Sequence, residues 1–213
     1  MPGYWRSAQQ TLEAFDPQGF YCSGDALKLA DPREPQLGLM FDGRIAEDFK
    51  LSSGVFVSVG PLRSRAVLEG SPYVQDLVVT APDRECLGAL VFPRMIECRR
   101  LSGLAASASD TEVLASAPVR EWFAAWLQRL NRDATGNASR LEWIALLAEP
   151  ASIDRGEITD KGSLNQRAVL QWRAEQVEAL YRGLDPAILR ADRPGHQGRA
   201  QSTGSGGSRS AGG

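Results

Sequence analysis

Only three of the 24 basic residues are lysines, Lys28, Lys50 and Lys161. An ammonium on a flexible stem and a planar guanidinium handle anions differently, so each lysine in an arginine-rich chain is a candidate for chemistry. Lys161 stands in the turn-like segment Gly-Glu-Ile-Thr-Asp-Lys-Gly, residues 156–162, just ahead of a helical pattern. A cation at that place opposes the helix macrodipole, which favours an anion. Three more segments concentrate polar residues between apolar runs: 2–6, 19–25 and 41–54, carrying Asp25, Arg44, Glu47, Asp48 and Lys50. Each has a plain structural explanation when taken singly. Gly24-Asp25 suits a hairpin turn, residues 44–50 suit a solvated strand pair, and Lys161 suits an ordinary charge before a helix.

The remaining composition narrows the chemistry. A formal net charge of −2 gives no electrostatic case for nucleic acid or an anionic membrane. Cys22, Cys86 and Cys98 form no Cys-x-x-Cys pair, and the single histidine, His196, lies in a polar tail. Zinc sites, Cys–His catalysis and Ser–His–Asp triads all fit poorly, and no metal ligands are assigned. Sparse cysteine, no leader pattern and no long apolar run point to a soluble protein of the reducing cytoplasm.

The elements that must position these residues read as α+β: a small mixed domain with a short hairpin and a small sheet packed by helices, preceded by the end of a larger domain and followed by a disordered tail. Strands are expected over 37–41, 55–59, 74–80, 87–92 and 141–147. Pro61 and Gly70 bound a short helix over 62–68. Ser116 and Pro118 start a strong helix through Val119, Trp122, Phe123, Trp126, Leu127 and Leu130, whose apolar stripe suits core packing. Ser163 and Gln166 form a capping-box pattern for one helix over 164–181 that stops at Gly183 and Pro186. Residues 100–110, rich in Ala and Ser, are ambiguous. From Arg190 to Gly213 the composition collapses to Gly, Ser, Arg, Ala and Gln, which cannot bury enough apolar surface to order, and the disordered tail is set at 186–213.

In their order, the motifs PGYWR (2–6), GFYCSGD (19–25), FDGR (41–44) and GEITDKG (156–162) resemble the late motifs of adenylate-forming enzymes. The segments 41–63, 71–80 and 156–170 are most similar to bacterial feruloyl-CoA synthetases. The resemblance implies a carboxylate–CoA ligase. A carboxylate attacks the α-phosphate of ATP, with Mg²⁺, to give acyl-AMP, and the thiol of coenzyme A then displaces AMP. It also implies a C-terminal domain that rotates between the steps. Asp25 matches the ribose-binding aspartate, whose carboxylate can accept from both hydroxyls of a cis-diol. Arg44 matches the arginine near ribose and phosphate. Lys50 and Gly54 match the thioester-step site, where a glycine lets backbone pass close to pantetheine. Lys161 matches the catalytic lysine, although the loop reads Thr-Asp-Lys-Gly where the family more often has Ser-Gly-Lys. The hinge position falls on Ala46, where the family usually has Asp or Lys, with Glu47 and Asp48 beside it.

The resemblance divides the chain into 1–43, the end of a truncated large AMP-binding domain; 44–185, the mobile C-terminal domain; and 186–213, the tail. The phosphate loop and acid pocket lie upstream in the resembling enzymes, and PGYWR, internal there, directly follows Met1 in this chain. The expected partners are therefore the missing large N-terminal domain and an aromatic carboxylic acid. Two other assignments stay open within the enzyme class: a fatty acyl-CoA ligase, or the adenylation portion of a carboxylate reductase. A non-catalytic partner-binding module is the reading outside it. An exposed apolar surface on residues 1–43 would favour the enzyme part.

Overall fold

The computed structural model describes residues 2–81, 84–183 and 188–191. The chain opens with a short helix α1 (Ala8–Glu13) and a two-stranded antiparallel ribbon, β1 (Asp25–Leu29) on β2 (Leu39–Arg44). After a single 3-10 turn at Ile45–Glu47, a second small hairpin joins β3 (Phe49–Lys50) to β4 (Phe56–Val57). Then follow α2 (Val59–Glu69), β5 (Val74–Thr80), β6 (Leu87–Pro93), α3 (Met95–Ser102), α4 (Asp110–Ala115), α5 (Ala117–Leu130), β7 (Leu141–Leu146), α6 (Gln166–Trp172), α7 (Ala174–Arg182) and β8 (Ile188–Arg190).

The main sheet has the order β5-β6-β7-β8, with β6 and β7 parallel and the outer pairs antiparallel. A parallel neighbour needs a long crossover, and α3, α4 and α5 supply it. Every residue of β6 is buried. Its unbroken apolar run is what a strand covered on both faces requires. On one face Leu77, Val79, Ala89 and Val91 pack with Val59, Leu62 and Ala66 of α2 and with Phe123, Trp126 and Leu127 of α5. On the other face Val78, Leu90 and Phe92 pack with Val169 of α6 and Leu180 of α7. Buried Asn131 fastens the end of α5 to the sheet: its amide donates to the Leu141 carbonyl at 2.7 Å and its Oδ1 accepts from the Leu141 N–H at 3.0 Å.

The expected mixed domain of small sheets and packing helices is what the chain forms. Several details differ. The strand expected over 37–41 begins at Leu39 and runs to Arg44, and its partner β1 carries no strand signal in the sequence. The strand expected over 55–59 shrinks to Phe56–Val57, because Val59 already starts α2. The ambiguous stretch 100–110 holds the end of α3, the connection to α4 and the first residue of α4, which carries the true capping box, Ser109 with Glu112. The capping box expected at Ser163 and Gln166 does not form. Asn165 caps α6 instead, and the single helix breaks at Arg173 into α6 and α7. The start of the expected tail is ordered: Ile188–Arg190 pair with β7. His196 and the rest of that tail lie outside the described residues.

Between residues 2 and 42 no side chain is buried. The ribbon meets the main body where Gly43 and Gly60 touch backbone to backbone. A Cβ on Gly60 would lie 2.4 Å from the Gly43 Cα. Gly60→Ala should therefore lower stability by about 1–3 kcal/mol, as overpacking does, measured by urea unfolding. Unchanged stability would mean that the ribbon does not rest on α2 in solution.

Candidate functional site

Lys161 sits at the tip of a tight hairpin. The Thr159 N–H donates to the Ser163 carbonyl at 2.8 Å, and the Gly162 N–H donates to the Thr159 carbonyl at 2.9 Å. This is a three-residue loop with its last residue left-handed, and Gly162 fills that place at φ +78. The Thr159 and Ser163 hydroxyls pair at 2.9 Å, so Ser163 is committed to the hairpin, which explains why it does not cap α6. Ile158 and Leu164 bridge below and turn toward the core. Lys161 itself is exposed, and no ion pair among the described residues involves it.

The root of the hairpin holds a buried ion pair. Arg173 Nε donates to Glu157 Oε1 at 2.7 Å and Arg173 Nη2 donates to Glu157 Oε2 at 2.9 Å. The two side chains are 2% and 0% exposed. Arg173 also donates to the carbonyls of Glu149 and Pro150, at 3.3 and 2.9 Å, and stands 5.1 Å from the Phe92 ring centre. Glu157 also accepts from the Ser152 N–H at 2.7 Å. The Arg173 fork holds the Glu157 carboxyl below its ordinary range; burial opposes the shift and the Ser152 N–H adds to it. Sequence reading missed this pair. One signal was present: Arg173 falls on the stripe Gln166, Val169, Arg173, Val177, Leu180, where a helix packed on a sheet calls for an apolar residue.

The hairpin separates two clefts. One, of about 480 Å³, is lined by Phe92, Pro150, Ile158, Gly162 and Leu164 among others. The second, of about 500 Å³, is bounded by Arg44, Glu47, Arg63, Thr159, Ser163 and Asn165. Arg44 and the Lys161 hairpin thus face one space, although 117 positions separate Arg44 from Lys161 in the sequence (161 − 44). Asp25 joins Arg44 from the other side, for the two are cross-strand partners in the ribbon. Arg63 is held by a bidentate bond to Asp76 at 2.7 and 2.6 Å.

Lys50 and Gly54 lie apart, on the β3–β4 hairpin, and do not line that cleft. Its turn repeats the Lys161 turn: Leu51 N–H to Val55 carbonyl at 2.9 Å, Gly54 N–H to Leu51 carbonyl at 2.8 Å, and Gly54 at φ +81. A Cβ on Gly54 would meet nothing within 4 Å, so within this chain the turn, not a close approach, requires the glycine. Ala46 is exposed in the 3-10 turn between ribbon and hairpin. Its acidic neighbour Asp48 accepts from the Val59 N–H at 2.8 Å and so caps α2, while the Glu47 carbonyl accepts from Gln166 Nε2 at 3.2 Å. Among the described residues no three His, Cys, Asp or Glu side chains converge to hold a metal, and no helix is long and apolar enough to cross a membrane.

Residues 57–185 match the family described as the AMP-binding enzyme C-terminal domain. The chain belongs to that family. A carboxylic acid reductase of Segniliparus rugosus is 28% identical over 183 residues, covering 85% of this chain and 14% of that protein. A chloroplastic long-chain-fatty-acid–[acyl-carrier-protein] ligase of Arabidopsis thaliana is 23% identical over 187 residues, covering 85% of this chain and 24% of that protein. The solved adenylation domain of the S. rugosus reductase, in complex with AMP and a co-purified carboxylic acid, superposes with a TM-score of 0.65 at 26% identity, covering 86% of this chain and 27% of that one. This AMP-binding enzyme C-terminal domain thus spans about a quarter or less of each of these relatives. The superfamily expectation is met. These relatives, a reductase and a carrier-protein ligase, do not carry the narrower expectation of a feruloyl-CoA synthetase.

The buried pair predicts a pH dependence. A carboxyl held below its ordinary value of about 4.3 stabilises the fold fully above that pH and loses the contribution as pH falls through its folded value. Urea midpoints of the wild-type chain should decline below about pH 4.3 more steeply than those of Glu157→Gln, in which this group no longer titrates. Parallel curves would contradict the assignment.

Proposed function

We propose that this chain is the C-terminal catalytic part of a carboxylate-adenylating enzyme and works against a large nucleotide-binding domain. The observation that carries this reading is the apolar surface of residues 2–45. Trp5 is 86% exposed, Leu12 72%, Phe20 71% and Phe41 63%, with Leu37, Leu39 and Ile45 also open. Such a surface is an interaction site, and it frames Asp25 and Arg44. It favours the enzyme part over a free-standing, non-catalytic module.

In the proposed first step a carboxylate oxygen bonds to the α-phosphorus of ATP and pyrophosphate leaves. Asp25 accepts from the ribose diol, Arg44 faces phosphate across the cleft, and Lys161 at its hairpin tip neutralises the charge that builds on the phosphoryl oxygens. In the second step a thiol attacks the acyl carbon and AMP leaves, on the side of Lys50 and Gly54, after rotation about the segment at Ala46. Mg²⁺ would offset phosphate charge when bound. The described residues offer it no carboxylate cluster, so it would rest on the nucleotide and the large domain.

The acid is proposed as a carboxylate handled in the manner of the reductase relatives, with the thiol on a carrier or on coenzyme A. The similarity to the S. rugosus reductase supports this over ferulate activation, which rests on the motifs at 41–63, 71–80 and 156–170. The isolated chain should release no pyrophosphate from ATP with Mg²⁺, coenzyme A and either ferulate or a fatty acid; turnover by the pure chain would sink the reading. In the chain joined to a large domain, Lys161→Ala should slow acyl-AMP formation roughly 100-fold or more and spare thioester formation from supplied acyl-AMP. Equal loss of both half-reactions would rule Lys161 out as the lysine of the adenylation step.

A further inference from the structure

Ile158 and Leu164, on the hairpin that carries Lys161, pack toward the core, but the tip of the hairpin stands clear of the sheet on a short ladder. Its ladder consists of the Thr159–Ser163 pairing, the turn bond from Gly162, and the Asn165 N–H to the Glu157 carbonyl at 2.8 Å. A lone two-stranded hairpin is marginal in water. Beside that packing, a directional tie to the domain lies at its root. Glu157 ends the incoming arm, and α6, which starts at Gln166 straight after the outgoing arm, runs to Arg173. The Glu157–Arg173 fork therefore closes a loop of 16 positions around Lys161, tying the incoming arm to the end of the helix that follows the outgoing one.

Burying this pair is a poor route to stability. Desolvating two ions costs several kcal/mol, and apolar side chains of similar volume often do as well or better. What a bidentate fork provides that an apolar contact does not is direction, since two parallel bonds fix the plane of the carboxylate against the plane of the guanidinium. Four of the five Arg173 N–H donors are engaged, and the Glu149 carboxylate stands 3.8 Å from Nη1. The Arg173 donors reach both Glu157 oxygens and the carbonyls of residues 149 and 150, and the Ser152 N–H takes a further lone pair of Glu157. The ion pair is thus bonded to the loop that follows β7 as well as to the hairpin. We propose that Glu157 and Arg173 are positioning residues for Lys161, fixing the orientation of its hairpin relative to the sheet. This rests on the reading of Lys161 as catalytic, where a misplacement of about 1 Å can cost on the order of 100-fold in rate.

The test separates orientation from stability. Arg173→Lys keeps the charge and loses the fork, and Glu157→Leu/Arg173→Leu removes both ions together and leaves none unpaired. In the purified chain, both variants should keep the protection of β5 and β6 amides against hydrogen exchange. The Thr159, Gly162 and Asn165 amides should exchange about 10-fold faster or more, consistent with local opening. Unchanged protection of those three amides would overturn the proposal, as would a loss spread evenly over the whole chain. In the chain joined to a large domain, the double variant should lower kcat for acyl-AMP formation at least 10-fold with KM for ATP unchanged. Adding Lys161→Ala to it should cost little more. If Lys161→Ala is silent in the wild-type background, the catalytic reading fails and the exchange result stands alone. If Lys161→Ala is damaging and the double variant is not, the positioning proposal fails.

Discussion

A guanidinium and a carboxylate removed from water together must satisfy one another almost completely, or the fold bears the cost. The Glu157–Arg173 pair meets that demand by recruiting its surroundings. The helix breaks at Arg173, the loop after β7 offers the carbonyls of Glu149 and Pro150, and the Ser152 N–H donates a third bond to the carboxylate. The loop after β7, the end of α6 and the root of the hairpin meet at this one desolvated contact. Phe92, at the end of the central strand, closes its apolar side.

The same turn serves at both ends of the domain. Leu51–Val55 and Thr159–Ser163 share their hydrogen-bond pattern and their left-handed glycine, yet only one has a charged side chain at its tip. In the first, Ser53 occupies the place that Lys161 takes in the second. The turn geometry and the side chain at its tip are separable in this fold, since the same backbone pattern carries a serine in one place and a lysine in the other.

Much of the core was legible because burial on both sheet faces writes long apolar runs, as in residues 74–80 and 87–93, and because the spacing of Val119, Phe123, Trp126, Leu127 and Leu130 admits only a helix. The ribbon strand β1 was not legible: Asp-Ala-Leu-Lys-Leu is exposed and carries no burial pattern. Helices α3 and α4 were hidden by their shortness, eight and six residues, on either side of an Ala- and Ser-rich connection. Ser163 looks like a cap in the sequence, but Thr159 bonds it. At the site, scarcity pointed to Lys161, and motif order to Asp25 and Arg44, which the ribbon does bring together. The pairing of Glu157 with Arg173 was not legible, since nothing local couples residues 16 apart, and only the place of Arg173 on the apolar stripe hinted at burial.

The two glycines in backbone contact, Gly43 and Gly60, give the ribbon one narrow seat on the domain, while its apolar residues face outward. Two strands with so little cover are marginal by themselves. Whatever closes over this surface would therefore complete the fold of the ribbon as well as bind it. Calorimetry of that encounter would show the thermal signature of chain folding: a large negative change in heat capacity, and an enthalpy that swings steeply with temperature.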